Sequence, residues 1–258
     1  MATESTTVQP GGTPQILLTL PAYNEEENLR PLVSHAVQVF ESAGLPYRIL
    51  IVNDGSTDGT ARVLAELTAE YGITVIDHEV NRGLGRAILT GLGAALEAAQ
   101  GPDDVIVCMD ADNTHSPSYI PSMSEKIWRE NFDIVIASRY QPGSKEVGVP
   151  LFRLMLSRTA RYVFQAILRL PGVRDYTCGF RAYRVGIIQQ AVQRYGDGLI
   201  RREGFACTDE LLVRLSHITT RITEIPFVLQ YDQKRSRSKL PLFRTIWETL
   251  KLLRETRD

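Results

Sequence analysis

Cysteine is scarce, with Cys108, Cys178 and Cys207 alone among 258 residues. They are odd in number, far apart and without metal-type spacing, and no secretory leader stands ahead of them. Neither a disulfide framework nor a cysteine metal centre is expected, and a reduced, cytosolic setting fits. An excess of one charge is missing too: 29 basic against 30 acidic residues give a net charge of -1, which offers no global argument for nucleic acid. Nor does any stretch approach the roughly 18 apolar residues that span a bilayer. The most lipophilic one, Leu151 to Leu170, is interrupted by Arg153, Arg158, Arg161 and Arg169. Two nucleotide signatures are also absent. Gly83-Leu84-Gly85 lacks the Lys and Ser/Thr of a P-loop, and Gly-x-Gly-x-x-Gly fails at Ile88.

What is present is a rhythm. The length allows one domain with a full core and an appendage. Residues 1–15, rich in Thr, Gly, Ser and Pro without periodicity, read as a disordered leader. Short apolar runs then alternate with helix-like stretches: Ile16 to Leu20 before a helix over 25–42, Arg48 to Val52 before 57–71, Ile73 to Ile76 before 85–99, Val105 to Met109 before 118–129, and a fifth run from Asp133 to Ala137. Strand and helix in this order predict an α/β fold with a mainly parallel sheet flanked by helices. After Ser138 come a Gly/Pro loop (141–150), the Arg-studded helix, the run Cys178 to Arg184, a helix over 208–216, a strand over 222–226 and a basic loop over 234–239. Leu242, Phe243, Ile246, Trp247, Leu250 and Leu253 then recur at helical spacing, which predicts a C-terminal amphipathic helix over 241–258.

Each of the first four strands runs into a polar, turn-forming cluster: Pro21-Ala22-Tyr23-Asn24-Glu25, Asn53-Asp54-Gly55-Ser56-Thr57-Asp58, Asn81-Arg82-Gly83-Leu84-Gly85, and Asp110-Ala111-Asp112-Asn113-Thr114-His115. Ordinary caps and turns account for any one of them. Together they would gather at the carboxyl edge of the sheet, where open α/β folds bind ligands. The carboxylates of Asp110 and Asp112 suit a hard cation, Mg²⁺ or Mn²⁺, that shares its shell with a diphosphate. Asn53 and Asp54 are placed to hydrogen-bond a base or ribose, Tyr23 to lie against the base, and Gly83 to let backbone approach a ligand closely.

These clusters, with His115, Pro117 and the run Cys178-Gly179-Phe180-Arg181-Ala182-Tyr183-Arg184, resemble the inverting family 2 glycosyltransferases, and within them the dolichol-phosphate mannose synthase group. The resemblance covers about residues 16–240 and rests on five motifs in the family's order. It implies a GT-A fold, divided into a nucleotide-sugar half (16–138) and an acceptor half (139–240). It also implies a nucleoside-diphosphate sugar donor, a divalent metal and a polyprenyl phosphate acceptor. Carried over by position, Pro21, Tyr23, Glu25, Asn53, Asp54, Gly83, Asp110, Ala111 and Lys239 hold the donor. Asp110 and Asp112 serve the metal, with Thr114 standing where relatives often carry a ligating Gln. Arg139, Arg153, Ser157 and Arg235 face the acceptor phosphate, and Asp175 lies beside them. One departure falls near the end: Gln233 and Ser236 occupy positions that usually hold Arg and Gly, while Ser238-Lys239 is retained, so Lys234 or Arg235 would have to supply the charge.

A sugar hydroxyl acceptor needs a general base, whereas a phosphate monoester is already anionic at neutral pH. The expectation is that Asp112, Arg139, Arg153 and Asp175 make up the catalytic set, with Arg139 and Arg153 positioning the phosphate and no carboxylate needed as proton acceptor. GDP-mannose and UDP-glucose both fit as donors, and a hydroxyl-acceptor transferase of the same family is the rival reading. An apolar helix over 151–170 that carries only positive charge suits the anionic cytoplasmic face of a membrane, or a membrane partner subunit, and the C-terminal amphipathic helix could help, although packing on the protein itself fits equally. No nucleic acid partner is expected.

Overall fold

The computed structural model describes residues 13–202, 204 and 206–233. The expected alternation is there: β1 (Ile16–Ala22), α1 (Glu26–Ser42), β2 (Tyr47–Asp54), α2 (Thr60–Tyr71), β3 (Thr74–His78), α3 (Leu84–Ala98), β4 (Val105–Cys108), α4 (Ile120–Arg129) and β5 (Ile134–Ser138). Beyond it come β6 (Lys145–Val147), α5 (Leu151–Leu168), β7 (Arg181–Arg184), α6 (Val185–Tyr195), α7 (Ala206–Ser216), β8 (Ile222–Pro226) and β9 (Val228–Gln230).

The main sheet runs β3-β2-β1-β4-β7-β5-β8, and β6 pairs with β9 in a second, two-stranded sheet. All pairs of the main sheet are parallel except those of β7, which is antiparallel to both β4 and β5. The mainly parallel α/β expectation therefore holds. β1 and β4 are buried almost throughout because helices cover both faces of the sheet, which is why they read as unbroken apolar runs. α1 turns Leu29, Leu32, Val33, Ala36, Val37 and Phe40 inward at helical spacing.

The order of the strands, not their direction, reverses between β1 and β4, the topological switch point at which a crevice opens. β1 stays paired with β2 as far as Ala22, whereas its pairing with β4 stops at Thr19 and Cys108. The two strand ends thus splay apart where the clusters after Ala22 and Met109 begin.

One boundary needs correction. Gln15 was assigned to the leader, yet it is buried: its amide N–H and Nε2 donate to the two carboxylate oxygens of Asp104, and Nε2 also donates to the Ala98 carbonyl. The polar side chain that marked it as leader is what anchors it. The amphipathic helix expected over 241–258, together with Arg235 and Lys239, lies outside the described residues.

Candidate active site

The four clusters are joined to one another in the order of the strands that carry them. From the β4 cluster, Asn113 Nδ2 donates to Asn28 O (3.0 Å), and Asn28 Nδ2 donates to Glu25 Oε2 (2.7 Å) in the β1 cluster. From β1 to β2, Asn24 N donates to Ser56 Oγ (3.0 Å) and Thr57 N to Asn24 Oδ1 (2.7 Å). From β2 to β3, Asp54 accepts Arg82 N at Oδ1 and Gly83 N at Oδ2, each at 2.9 Å. Two asparagines at these joints, Asn24 (φ 54°) and Asn113 (φ 62°), take the left-handed conformation that Asn tolerates better than most residues.

Several expected donor residues occupy this edge. Pro21 and Ala22 end β1, Tyr23 follows half-buried, and Glu25 is buried. Asn53 is buried, donating Nδ2 to Asp77 Oδ1 (2.8 Å) and accepting Ser56 N at Oδ1. Asp54 is tied firmly into this edge. Its buried carboxylate already receives the two loop amides and stands 2.7 Å from His78 Nδ1, whose Nε2 lies 3.0 Å from Thr90 Oγ1 on α3. These contacts hold the Asn81-Arg82-Gly83 turn in place. Gly83 (φ 87°) opens that turn into α3. Gly85 is close-packed for another reason, because a Cβ there would sit 1.9 Å from the Arg202 carbonyl oxygen.

After β4, Asp112 is buried and its Oδ1 accepts both Thr114 N (3.2 Å) and Thr114 Oγ1 (2.6 Å). The threonine hydroxyl therefore orients Asp112. Half-buried Asp110 is steadied from its backbone, where its N–H donates to His115 Nδ1 (3.4 Å). That imidazole is packed against Phe180 and Phe227. Buried Ala111 joins the two acids. Among the described residues no three His, Cys, Asp or Glu side chains form a metal cluster. Two carboxylates with one pre-oriented nonetheless fit Mg²⁺ or Mn²⁺, which are commonly bound through one or two protein carboxylates plus substrate phosphates and water. Asp110 and Asp112 would hold that ion.

On the acceptor side, Arg139 directly follows β5 and meets Asp175 in a two-pronged pair, Nε to Oδ2 at 2.8 Å and Nη2 to Oδ1 at 2.7 Å. Asp175 also receives the amides of Arg139, Thr177 and Cys178. Burial acts to raise the Asp175 carboxyl, but the Arg139 guanidinium outweighs it and holds the group below its ordinary value; the same pairing raises Arg139 despite burial. The Asp175 side chain is 0% exposed. From within the protein it positions Arg139. Ser157 lies on α5 within 2.6 Å of Tyr140 Oη, and Arg153 occupies the turn before it, its side chain outside what is described.

The segment that holds Arg139 also reaches the donor side. Gly179, four residues beyond Asp175, lies against Asp110: a Cβ there would be 3.7 Å from Asp110 Oδ1 and 3.7 Å from Thr208 Cγ2. Sequence reasoning passed over three residues here. Arg181, fully buried at the start of β7, donates to Thr208 O (2.5 Å) and Tyr176 O (2.6 Å). The buried doublet Asp209-Glu210 stands in the first turns of α7, with Glu210 Oε2 accepting the amides of Arg201 and Arg202. Two adjacent acids at a helix start were the available signal, and they look like ordinary capping until their burial is known.

Known proteins resemble this chain in sequence and in fold. The chain is 32% identical over 238 residues to a dolichol-phosphate mannosyltransferase of Pyrococcus furiosus, covering 92% of this chain and 62% of that protein. It is 32% identical over 222 residues to a polyprenol monophosphomannose synthase of Mycolicibacterium smegmatis, covering 85% and 78%. This chain therefore spans less than two thirds of the Pyrococcus protein's length. Its fold matches the crystal structure of a mycobacterial protein at a TM-score of 0.69 (19% identity, 94% of this chain and 74% of that one). It also matches Mycobacterium tuberculosis glucosyl-3-phosphoglycerate synthase in complex with Mn²⁺ and uridine-diphosphate-glucose at 0.63 (21% identity, 95% and 84%). These likenesses support the GT-A architecture. The model of the family described as glycosyl transferase family 2 matches residues 18–191, and the chain belongs to that family.

Proposed function

We propose that this protein transfers a hexose, mannose from GDP-mannose, to a polyprenyl or dolichyl phosphate with inversion, using Mg²⁺ or Mn²⁺, at the cytoplasmic face of a membrane. The observation that carries the reading is the 175–180 segment, which pairs with Arg139 at one end and packs on Asp110 at the other. It ties the Arg139 guanidinium, suited to an anion, to the segment that packs on the carboxylates suited to a diphosphate. The two relatives at 32% identity are named for the same transfer class, and the structural neighbour's Mn²⁺ complex gives precedent for the cation in this fold.

The side chains divide the work. Pro21, Tyr23, Glu25, Asn53 and the Gly83 turn cradle the nucleoside, with Asp54 fixing the turn. A divalent cation on Asp110 and Asp112 would offset the charge that builds on the leaving diphosphate. Arg139 and Arg153, with Ser157, aim the acceptor phosphate at the anomeric carbon. Asp175 is unsuited to take a proton, since three backbone amides and the two-pronged Arg139 guanidinium favour its ionised form. A phosphate nucleophile needs no such base. Lys239 and Arg235 are assigned to the leaving diphosphate and the acceptor phosphate.

Peripheral attachment is supported by α5, which exposes Leu151 (79%), Phe152 (58%), Met155 (71%) and Tyr162 (64%) beside exposed Arg158. No helix among the described residues is long and apolar enough to cross a membrane. A thermal-shift panel of nucleotide sugars with Mg²⁺ or Mn²⁺, followed by a transfer assay with a short-chain polyprenyl phosphate, tests the reading. GDP-mannose should stabilise the protein only with metal and not in Asp112→Asn, and sugar should pass to the phosphate but not to the matching alcohol. Stabilisation by UDP-glucose alone, or transfer to the alcohol, would overturn it.

A further inference from the structure

Tyr140, next in the chain after Arg139, has no part in the reading above. Its phenol shares a 2.6 Å hydrogen bond with Ser157 Oγ. Its ring also carries two guanidiniums, Arg139 at 5.4 Å and Arg161 at 4.7 Å from the centroid. Ser157 and Arg161 are one helical turn apart on α5 and so lie on one face. Arg161 Nε is buried without a hydrogen-bond partner, an arrangement that native structures seldom keep unless a ligand or water completes it.

We propose that Tyr140 is a positioning residue for the acceptor phosphate and that Arg161, held on the Tyr140 ring, is a further residue that binds it. The inference rests on the polyprenyl-phosphate reading. Proton counting sets the direction of the relay. A phosphate monoester dianion only accepts hydrogen bonds, so Ser157 must give its single proton to the phosphate, and its oxygen then accepts from Tyr140. Burial raises the Tyr140 phenol above its ordinary value, so it keeps the proton it has to donate at neutral pH. The ring does separate work by fixing two planar cations with few rotamers left to lose when the anion arrives.

The test is calorimetric titration of the full chain with geranyl phosphate and with geraniol, comparing wild type, Tyr140→Phe, Ser157→Ala, their double mutant, Arg161→Gln and Arg161→Lys. Tyr140→Phe keeps the ring and should weaken geranyl phosphate binding about fivefold, the scale of one neutral hydrogen bond. Arg161→Gln should weaken it about tenfold, with Arg161→Lys recovering part of the loss. The double mutant should bind no more weakly than Ser157→Ala alone, because the relay is already broken there. Geraniol binding and the metal-dependent donor thermal shift should not move, whereas a merely structural defect would move both. Unchanged geranyl phosphate binding in Tyr140→Phe and Arg161→Gln would overturn the inference and leave the acceptor reading standing. A wild type that binds geranyl phosphate no better than geraniol would overturn both.

Discussion

Asp175→Asn separates a structural carboxylate from a catalytic one. The variant keeps the size of the side chain but replaces a buried charge that receives Arg139 Nε, Nη2 and three backbone amides between 2.7 and 3.3 Å. Arg139, whose side chain is 14% exposed, would be left charged without its partner. Removing one member of a buried pair costs roughly 3 to 5 kcal/mol, a large share of the 5 to 15 kcal/mol that typically holds a domain together. At this chain length that lowers the melting temperature by roughly 6 to 20 °C. The sign of the pH effect follows from the depressed carboxyl. Its contribution is fully present above the unfolded value of about 3.9 and is lost as pH falls through the lower folded value. Urea unfolding at pH 7 should therefore show the full gap between wild type and variant, and the gap should narrow below about pH 4. Acceptor KM should rise, since Arg139 loses its aim. If instead stability stayed within about 0.5 kcal/mol of wild type while kcat fell roughly a thousandfold with both substrates still bound, Asp175 would be the general base and the phosphate-acceptor argument would fail.

Thr114→Ala removes the hydroxyl that orients Asp112 and should weaken Mn²⁺ affinity about 10- to 100-fold in a donor thermal-shift titration; an unchanged Mn²⁺ midpoint would make the contact incidental. Gly85→Ala forces a methyl onto the Arg202 carbonyl and should cost about 1 to 3 kcal/mol. Gly93→Ala, on the same helix with nothing within 4 Å of the added atom, should gain about 0.5 to 1 kcal/mol, and denaturation curves that fail to separate the two would contradict the packing of the Arg202 backbone on α3. Replacing Phe152 and Met155 with Ser should reduce flotation with anionic liposomes without changing the melting temperature, and undiminished flotation would remove α5 from the membrane argument.

The sheet was legible because each parallel strand is covered on both faces and so prints an unbroken apolar run, as Val105 to Cys108 does. β7 escaped that logic. It has four residues with Arg at each end, and its pairing with β4 and β5 depends on strands distant in sequence. The motif Cys178 to Arg184 was visible as a motif and silent as a strand. The same split runs through the site. That Asp54, Asp110 and Asp112 are site candidates could be read from residue types at strand ends, and that Arg139 and Asp175 are could be read from the family resemblance alone. Which of them face a ligand could not, because Asp54 and Asp175 complete their shells with backbone amides, and a backbone amide leaves no trace in a sequence.

That distinction changes how the clusters should be understood. Had they been four separate ligand contacts, each would tolerate loss with its own modest penalty. Instead the hydrogen bonds run from Asn113 through Asn28 to Glu25, from Asn24 to Ser56 and Thr57, and from Asp54 to Arg82 and Gly83, in the spatial order β4, β1, β2, β3. Neighbours in one network couple rather than add. Asp54→Asn, distant along the sheet from the Asp110-Ala111-Asp112 turn, is therefore expected to loosen the Gly83 turn and to weaken donor binding and, through the network, the Mn²⁺ midpoint of a donor thermal-shift titration as well. The ligand-binding edge behaves as one rim, held to shape by side chains that never leave the protein.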